Sequence, residues 1–281
     1  MALAFARSID TLLTDANNPD VSAAGKIAIS HILGKAENTA AFVGSSETDN
    51  AANPNSRTKV AGDRVGLRDT WLPSFFRELR AGLTMQEFEE RLKTTSVITF
   101  NYDRLFECFF DFATQKYDGV TPERAIELRK MLTIIHPYGL LAHFPEDRQS
   151  LHAAPFGQVS EGGHVQNAPS LIKTYDEAID EDLGARVQQA VYEANRVVFL
   201  GFGFHPQNLR LLGLPRMVGV GDDFRCFATT KGLSPQKSKR MVDAALRFKI
   251  DVSPSKRDGA CAFEDATCKE LIDEHGDDFF V

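Results

Sequence analysis

The stretch Arg196-Val-Val-Phe-Leu-Gly-Phe-Gly-Phe-His205 decides the fold class, because an apolar run leads directly into a turn that contains two glycines. The residues before it predict a helix over about 182–195. Continuous apolar runs are typical of strands that are buried on both faces of a parallel sheet. We therefore predict a parallel strand over 196–200 whose carboxyl end carries the glycine turn.

Further β-rich runs, with helical segments between them, lie at 96–100, 133–136, 225–229 and 248–252. Strands that alternate with helices predict a parallel sheet. The predicted fold class is α/β, a Rossmann-like parallel sheet with helices on both faces, preceded by an N-terminal helical segment. We expect residues 96–100, 133–136 and 196–200 to belong to one sheet.

Capping residues and apolar spacing predict where the helices begin. One predicted helix presents Trp71, Phe75, Phe76 and Leu79 on its apolar face, and a closing helix is predicted over 263–274. The other predicted helices begin at Ser8, Ser22, Thr84 (with Glu87 in a capping box), about Asp103, Thr121-Pro122 and Ser234-Pro235.

We predict a single domain over residues 1–281 with two irregular segments. Residues 44–69 are rich in Ser, Asn, Asp, Thr and Gly, which predicts a mobile loop, or equally a lid over a site. Residues 140–181 are expected to form an irregular insertion.

Composition narrows the class of function. The chain has 32 Lys and Arg against 39 Asp and Glu, and its net charge of −7 argues against a nucleic-acid surface as the main feature. A small-molecule enzyme and a protein-binding module fit this charge equally well. The longest apolar run, Val197 to Phe204, is far shorter than the roughly 20 residues of a membrane-spanning helix. Since no secretory signal stands near the start, we expect a cytoplasmic protein without a membrane partner.

The four cysteines, Cys108, Cys226, Cys261 and Cys268, include no C-x-x-C pair. This spacing argues against a zinc ribbon, and no metal site is predicted. In the cytoplasm these thiols are expected to be reduced and mostly buried.

Three predicted strands end in clusters that are polar, aromatic or rich in glycine: Asn101-Tyr102-Asp103, 136–139 and 201–205. Parallel strands bring such ends to one edge of a sheet, which predicts a shared crevice. A structural role competes for each cluster alone. Asn101 or Asp103 can cap a helix, His136 can be a hydrogen-bonded core histidine, and the glycines can form only a tight turn.

These clusters carry a family resemblance. The motifs Thr99-Phe-Asn-Tyr-Asp103 with Glu107, Ile134-Ile-His-Pro-Tyr-Gly139 and Phe199-Leu-Gly-Phe-Gly-Phe204 with Asn208 occur in this order. Together with Ser8-Ile-Asp-Thr-Leu-Leu13 and Gly25-Lys-Ile-Ala-Ile29, they resemble the SIR2-like domain of bacterial anti-phage defence proteins over roughly residues 8 to 210.

The resemblance implies a Rossmann-like fold that binds NAD and, in active members of the family, cleaves the bond between nicotinamide and ribose. It places Asn101 at the nicotinamide ribose as a catalytic residue and Asp103 at the carboxamide. The Gly201-Phe202-Gly203 turn would pass beneath the adenosine half. Gly139 and Asn208 complete the predicted cofactor-binding set.

The identity of the catalytic base stays open between two residues. The family's histidine directly precedes a glycine, a position that Tyr138 occupies in this chain, whereas His136 stands two residues earlier. Residues i and i+2 of an extended strand share a face, so His136 is a candidate substitute. A tyrosine is a poor general base at neutral pH. Cleavage of an N-glycosidic bond needs no metal, and the cysteine spacing differs from the zinc module of deacylating sirtuins.

The family's first strand normally ends in a G-A-G-x-S loop that holds the pyrophosphate, and no such loop precedes Ser8. We therefore expect the first β-α unit to be missing and affinity for a dinucleotide to be reduced.

Two functions compete. The first is an NAD hydrolase of the anti-phage defence type, and the second is a catalytically silent nucleotide-binding or protein-interaction module. A stability-only α/β domain is third. The expected partners are a small-molecule nucleotide and either a second copy of the chain or a defence partner protein.

Overall fold

A computed structural model describes residues 18–40, 67–147, 152–160, 163–174, 177–213, 224–234, 236 and 261–280. The chain divides into two compact units. The first unit consists of Met1–Leu67, Val97–Lys130 and Ile134–Ile179, and the second of Arg68–Ser96, Met131–Thr133 and Asp180–Val281. A single domain over 1–281 stays a prediction. Among the described residues, no helix has both the length and the apolar character needed to cross a membrane.

The described residues form a mixed α/β structure with short parallel strands. In chain order the elements are α1 (Pro19–Asn38), a 3-10 turn (Leu67–Asp69), α2 (Leu72–Arg80), α3 (Met85–Lys93), β1 (Ser96–Ile98), α4 (Leu105–Asp118), α5 (Pro122–Arg129), β2 (Thr133–Ile135), a 3-10 turn (His164–Asn167), α6 (Ala168–Leu171), α7 (Glu181–Glu193), β3 (Arg196–Phe199), α8 (Pro206–Leu211), β4 (Arg225–Thr229), β5 (Cys261–Glu264) and α9 (Cys268–Phe279).

Local capping chemistry explains where several helices begin. The predicted capping box at the start of α3 is confirmed, since the Thr84 side chain accepts from the Glu87 N–H and the Glu87 carboxylate accepts from the Thr84 N–H. α5 begins with Pro122 at its first position, as predicted. The predicted cap at Ser22 is wrong. Asn18 caps α1 instead, because its side chain accepts from the Asp20 N–H at 2.9 Å.

The prediction of a closing helix over 263–274 is wrong at its start. Residues Cys261–Glu264 form β5, and the helix begins only after Thr267, whose capping box with Glu270 sets the first turn of α9. The early helix from Ser8, the strand at 248–252 and most of the 44–69 segment lie outside the described residues, as does the body of the helix from Ser234.

The strands form two sheets in the described part of the chain, one with the order β1-β2 and one with the order β3-β4-β5. β4 pairs in parallel with both β3 and β5. The Thr133 N–H bonds to the Thr95 carbonyl and the Thr99 N–H to the Ile135 carbonyl, a parallel ladder for β1 and β2.

The expectation that residues 96–100, 133–136 and 196–200 share one sheet is therefore wrong for the described residues. An apolar run indicates a strand but not its partner, because pairing depends on which neighbour completes a buried layer. In β3, Val197 and Val198 lie opposite Cys226 and Phe227 of β4. Phe227 is buried together with Leu271, Ile272 and Phe279 of α9, which supplies that layer.

The second unit is held together by this apolar layer. Phe75 of α2 packs against it and meets the Phe280 ring at 5.7 Å between centroids. A polar contact adds to the packing, since the Ser74 hydroxyl donates to Asp273 at 2.7 Å. The aromatic face predicted for α2 is therefore a core face.

The first unit has an unusual buried helix face. α1 buries Lys26, Ser30, Gly34 and Glu37 instead of large apolar side chains. Lys26 pairs with Glu177 at 2.8 Å, while a Cβ at Gly34 would lie 3.0 Å from the Ser160 nitrogen. Small and paired residues thus let the segment after residue 140 pack closely on α1.

That segment, predicted as an irregular insertion over 140–181, has short elements in its described residues. Isolated bridges join Gly139 to Ile172 and His143 to Ala153. Leu141, Ala142, Ala154 and Val159 form a small buried cluster.

Candidate functional site

The carboxyl ends of β1 and β2 lie at one edge of their sheet because the two strands are parallel neighbours. Asn101 follows β1 and His136 follows β2. The Nδ1 atom of His136 lies 3.1 Å from the Asn101 carbonyl oxygen. The structure therefore brings these two predicted catalytic residues together.

The backbone of Asn101 is hydrogen-bonded on both sides. Its N–H donates to the Thr99 hydroxyl oxygen at 3.2 Å, and its carbonyl accepts from His136. The residue is exposed, and its carboxamide makes no hydrogen bond to any residue that the structure describes. Within the described part of the chain, Asn101 thus presents an unengaged carboxamide on a main chain held by two hydrogen bonds.

The His136 imidazole also contacts a carboxylate. Its Nε2 lies 2.7 Å from Glu107 Oε1, and the two side chains are only 5% and 6% exposed. Burial by itself lowers the pKa of His136, but the hydrogen bond and the charge of Glu107, with the Asn101 carbonyl, outweigh it. The pKa of His136 is raised above its ordinary value, which favours the imidazolium.

Asp103 lies in the same environment. Its Oδ1 accepts from the Leu105 N–H at 3.1 Å, so it satisfies one donor at the start of α4. Burial raises the pKa of Asp103, and the charges of Glu37 and Glu107 add to that effect, although the Leu105 bond opposes it. The N-cap of α4 is Arg104, so Asp103 lies one residue before the cap. Its carboxyl group has the capacity for further hydrogen bonds, and the carboxamide-binding role stays a prediction.

Tyr138, the other candidate base, is 5% exposed. Its ring lies 5.9 Å from that of Phe100 between centroids, and its carbonyl accepts from the Lys173 N–H at 2.8 Å. These contacts place Tyr138 in the core of the first unit. Its catalytic role stays a prediction.

Gly139 has a clear structural role. Its φ is +84°, and a Cβ built there would lie 2.0 Å from the Leu171 carbonyl oxygen. Only glycine fits this turn. The structure thus explains Gly139 by the close approach of two backbones, and its place in a cofactor site stays a prediction.

The glycine turn after β3 belongs to the second unit. Gly201 has a φ of +61°, and its N–H donates to the Thr229 hydroxyl oxygen of β4 at 2.9 Å. The Phe202 and Phe204 rings pack against Phe199 at tilted angles, with centroids 5.3 and 5.0 Å from it. Open space surrounds Gly203, where a Cβ would meet nothing within 4 Å.

Asn208 is a half-buried residue of α8 in the second unit. The predicted site residues therefore divide between the two units. Asn101, Asp103, His136, Tyr138 and Gly139 belong to the first, and Gly201, Phe202, Gly203 and Asn208 to the second. A crevice shared by both sets stays a prediction.

Sequence reasoning quoted Glu107 as part of a motif but missed its partnership with His136. It also missed Thr99 as the acceptor for Asn101. The Glu107 contact spans 29 positions, so no local spacing reveals it. The Thr99 contact spans two positions and could have been found as a hydroxyl turn. No cluster of three or more His, Cys, Asp or Glu suited to a metal occurs in the residues for which there is a description.

No protein-family model, curated protein or solved structure matches this chain. The fold and the site define a mixed α/β protein with short parallel strands and a His-Glu pair beside an exposed asparagine. The SIR2-like resemblance rests on the motifs alone.

Proposed function

We propose that this chain is an NAD-binding protein of the SIR2-like type that hydrolyses the bond between nicotinamide and ribose. It would act in the cytoplasm in bacterial anti-phage defence, on a Rossmann-like fold, without a metal. A second copy of the chain or a defence partner protein would accompany it. Asn101 would act at the ribose and Asp103 at the carboxamide, while the turn at Gly201 would support the adenosine half.

The observation that supports this proposal most is the position of Asn101, whose main chain is hydrogen-bonded and whose side chain is exposed. Thr99 and His136 hold its main chain, while its exposed carboxamide remains available. Hydrolysis at an oxocarbenium-like centre requires a polar group that orients water or ribose without reorganising during the reaction. The fixed backbone of Asn101 contributes to that requirement, because it sets the point from which the carboxamide reaches the substrate.

One observation favours the silent binding module as a second candidate. Both nitrogens of His136 already have partners, and Tyr138 is buried. Neither candidate base therefore offers a lone pair to water in this arrangement. A chain with this site would bind the nucleotide and leave it intact.

The discriminating experiment incubates the 281-residue chain with NAD and measures two quantities. Calorimetry reports binding, and chromatography reports nicotinamide over several hours. We expect slow release that Asn101→Ala abolishes and Asn101→Asp reduces. Asn195→Ala is the matched control, because Asn195 is also exposed with a hydrogen-bonded carbonyl, here to the Arg225 N–H at 2.9 Å.

The outcomes separate the two functions. Release that depends on Asn101 but not on Asn195 supports the hydrolase. Binding without any release supports the silent module. Absence of both binding and release contradicts both candidates.

A further inference from the structure

Both ring nitrogens of His136 face hydrogen-bond acceptors. Nδ1 lies 3.1 Å from the Asn101 carbonyl oxygen, which has no proton to give, so Nδ1 carries a hydrogen and donates it. Nε2 lies 2.7 Å from Glu107 Oε1. One further proton is shared between these two atoms. Whichever atom holds it, His136 has no lone pair directed at a substrate.

Because Glu107 is buried next to His136, the charges of the two side chains are strongly coupled. The Glu107 side chain is 6% exposed, and its Oε2 is buried without a hydrogen-bond partner among the described residues. A buried carboxylate with a single hydrogen bond is costly unless a cation compensates for its charge. The imidazolium of His136 is the cation in contact with it.

We propose that Glu107 is a positioning residue of the candidate site, which keeps His136 protonated on both nitrogens so that His136 holds the carbonyl of Asn101 in place. His136 then fixes the main chain of Asn101 and does not serve as the general base. The inference rests on the proposed function in one respect, namely that Asn101 is positioned for NAD.

Other charged groups act on this pair from the neighbouring segments. The negative charge of Asp103 also acts on His136 and favours the imidazolium. Glu37 of α1 acts on Asp103, and its carboxylate is paired with Arg104 at 2.7 Å. Loss of the Nε2 proton would set a lone pair against the Glu107 carboxylate. The contact should therefore open as pH rises through the titration of His136.

The first test follows His136 by NMR in the full chain, with its signals assigned from a His136→Gln variant. In the wild type we expect hydrogen on both ring nitrogens at neutral pH. In Glu107→Gln the titration midpoint of His136 should move to lower pH, because the negative charge is gone. The Tyr102 amide shift reports on the hydrogen bond to the Asn101 carbonyl and should change together with the His136 titration in the wild type.

A second His-Glu pair supplies the matched control. His275 Nε2 lies 2.5 Å from Glu264 Oε1, and these side chains are more exposed. Glu264→Gln removes the same charge at this second pair and should leave the titration of His136 unchanged. An unchanged midpoint of His136 in Glu107→Gln, or a bare Nε2 in the wild type, would overturn the proposal.

The second test uses the pH dependence of nicotinamide release. For a positioning role, kcat falls as pH rises through the His136 midpoint, whereas a base role makes kcat rise there. Glu107→Ala should lower kcat on the order of 10-fold to 100-fold with little change in KM. Glu107→Gln should retain most of the activity and lose the alkaline fall, because its amide can donate to a neutral His136.

The two tests distinguish failure of the positioning role from failure of the hydrolase function. If the wild type releases no nicotinamide, the hydrolase function fails, and the NMR titration with the Tyr102 amide still decides the pairing. If release occurs and kcat rises through the His136 midpoint, the positioning role is overturned and the hydrolase function stands.

Discussion

The guanidinium of Arg104 and the carboxylate of Glu37 form an ion pair in the interior of the first unit, with Nη2 2.7 Å from Oε2 and side-chain exposures of 0% and 1%. Arg104 also donates to the Ala154 carbonyl at 2.6 Å, and its guanidinium carbon lies 5.1 Å from the centre of the Phe144 ring. This pair joins α1, the start of α4 and the segment after residue 140. Arg104 follows Asp103 in the chain, and the charge of Glu37 acts on Asp103.

Removal of one partner should be strongly destabilising. Glu37→Leu leaves the Arg104 charge buried and unpaired, which costs about 3 to 5 kcal/mol. The double variant Glu37→Leu with Arg104→Met should cost less than the sum of the single variants. Urea denaturation measures each free energy of unfolding. The exposed pair Arg124 and Glu127 is the control, where Arg124→Ala should cost about 1 kcal/mol or less.

Gly139→Ala should destabilise the protein more than substitution at an ordinary left-handed glycine. The positive φ costs roughly 1 to 2 kcal/mol, and the clash with the Leu171 carbonyl adds roughly 1 to 3 kcal/mol. Gly119→Ala is the matched variant, because Gly119 has a φ of +65° with nothing within 4 Å of its Cβ. Equal losses in thermal denaturation would contradict the close approach.

Asp111 should make stability depend on pH. Burial raises the pKa of Asp111 to about 6 despite Arg129, whose guanidinium is also shared with Glu146. Between about 4 and 6 the folded state binds more protons than the unfolded chain, so this group's contribution to stability falls as pH rises. The difference in unfolding free energy, Asp111→Asn minus wild type, should therefore increase across that window by on the order of 1 to 3 kcal/mol.

Urea midpoints at several pH values between 4 and 8 measure this difference. Above the folded-state pKa the difference should become constant. A difference that decreases between pH 4 and 6 would show that the carboxylate is stabilised, and not destabilised, in the folded protein.

Thr229→Val should weaken NAD binding under the proposed function. It removes the acceptor for the Gly201 N–H and loosens the predicted cofactor turn. Loss of one hydrogen bond is worth about 1 kcal/mol, or roughly a 5-fold increase in Kd. Thr229→Ser retains the hydroxyl and should bind as the wild type does. Calorimetry measures the Kd of each protein for NAD. Equal Kd values for the wild type and both variants would exclude the turn from the site.

Local chemistry made several elements predictable from the amino-acid sequence. Thr84 with Glu87 and Thr121 with Pro122 act within a single helical turn, so their spacing in the sequence was enough to predict these two helix starts. The apolar run at β3 likewise marks a strand. Asn101 and His136 were predictable as strand-end residues, because each directly follows a β-rich run in the sequence.

Only the tertiary structure decided which strands pair and which side chains meet. β3 belongs to the β3-β4-β5 sheet and pairs with β4, whose Phe227 completes a buried layer with α9. The sequence of β3 does not indicate this partner. Glu107 meets His136 across 29 positions, and Glu37 meets Arg104 across 67. Helix caps depend on neighbours within four residues, whereas these contacts depend on how whole elements pack, and that packing determines the protonation of His136.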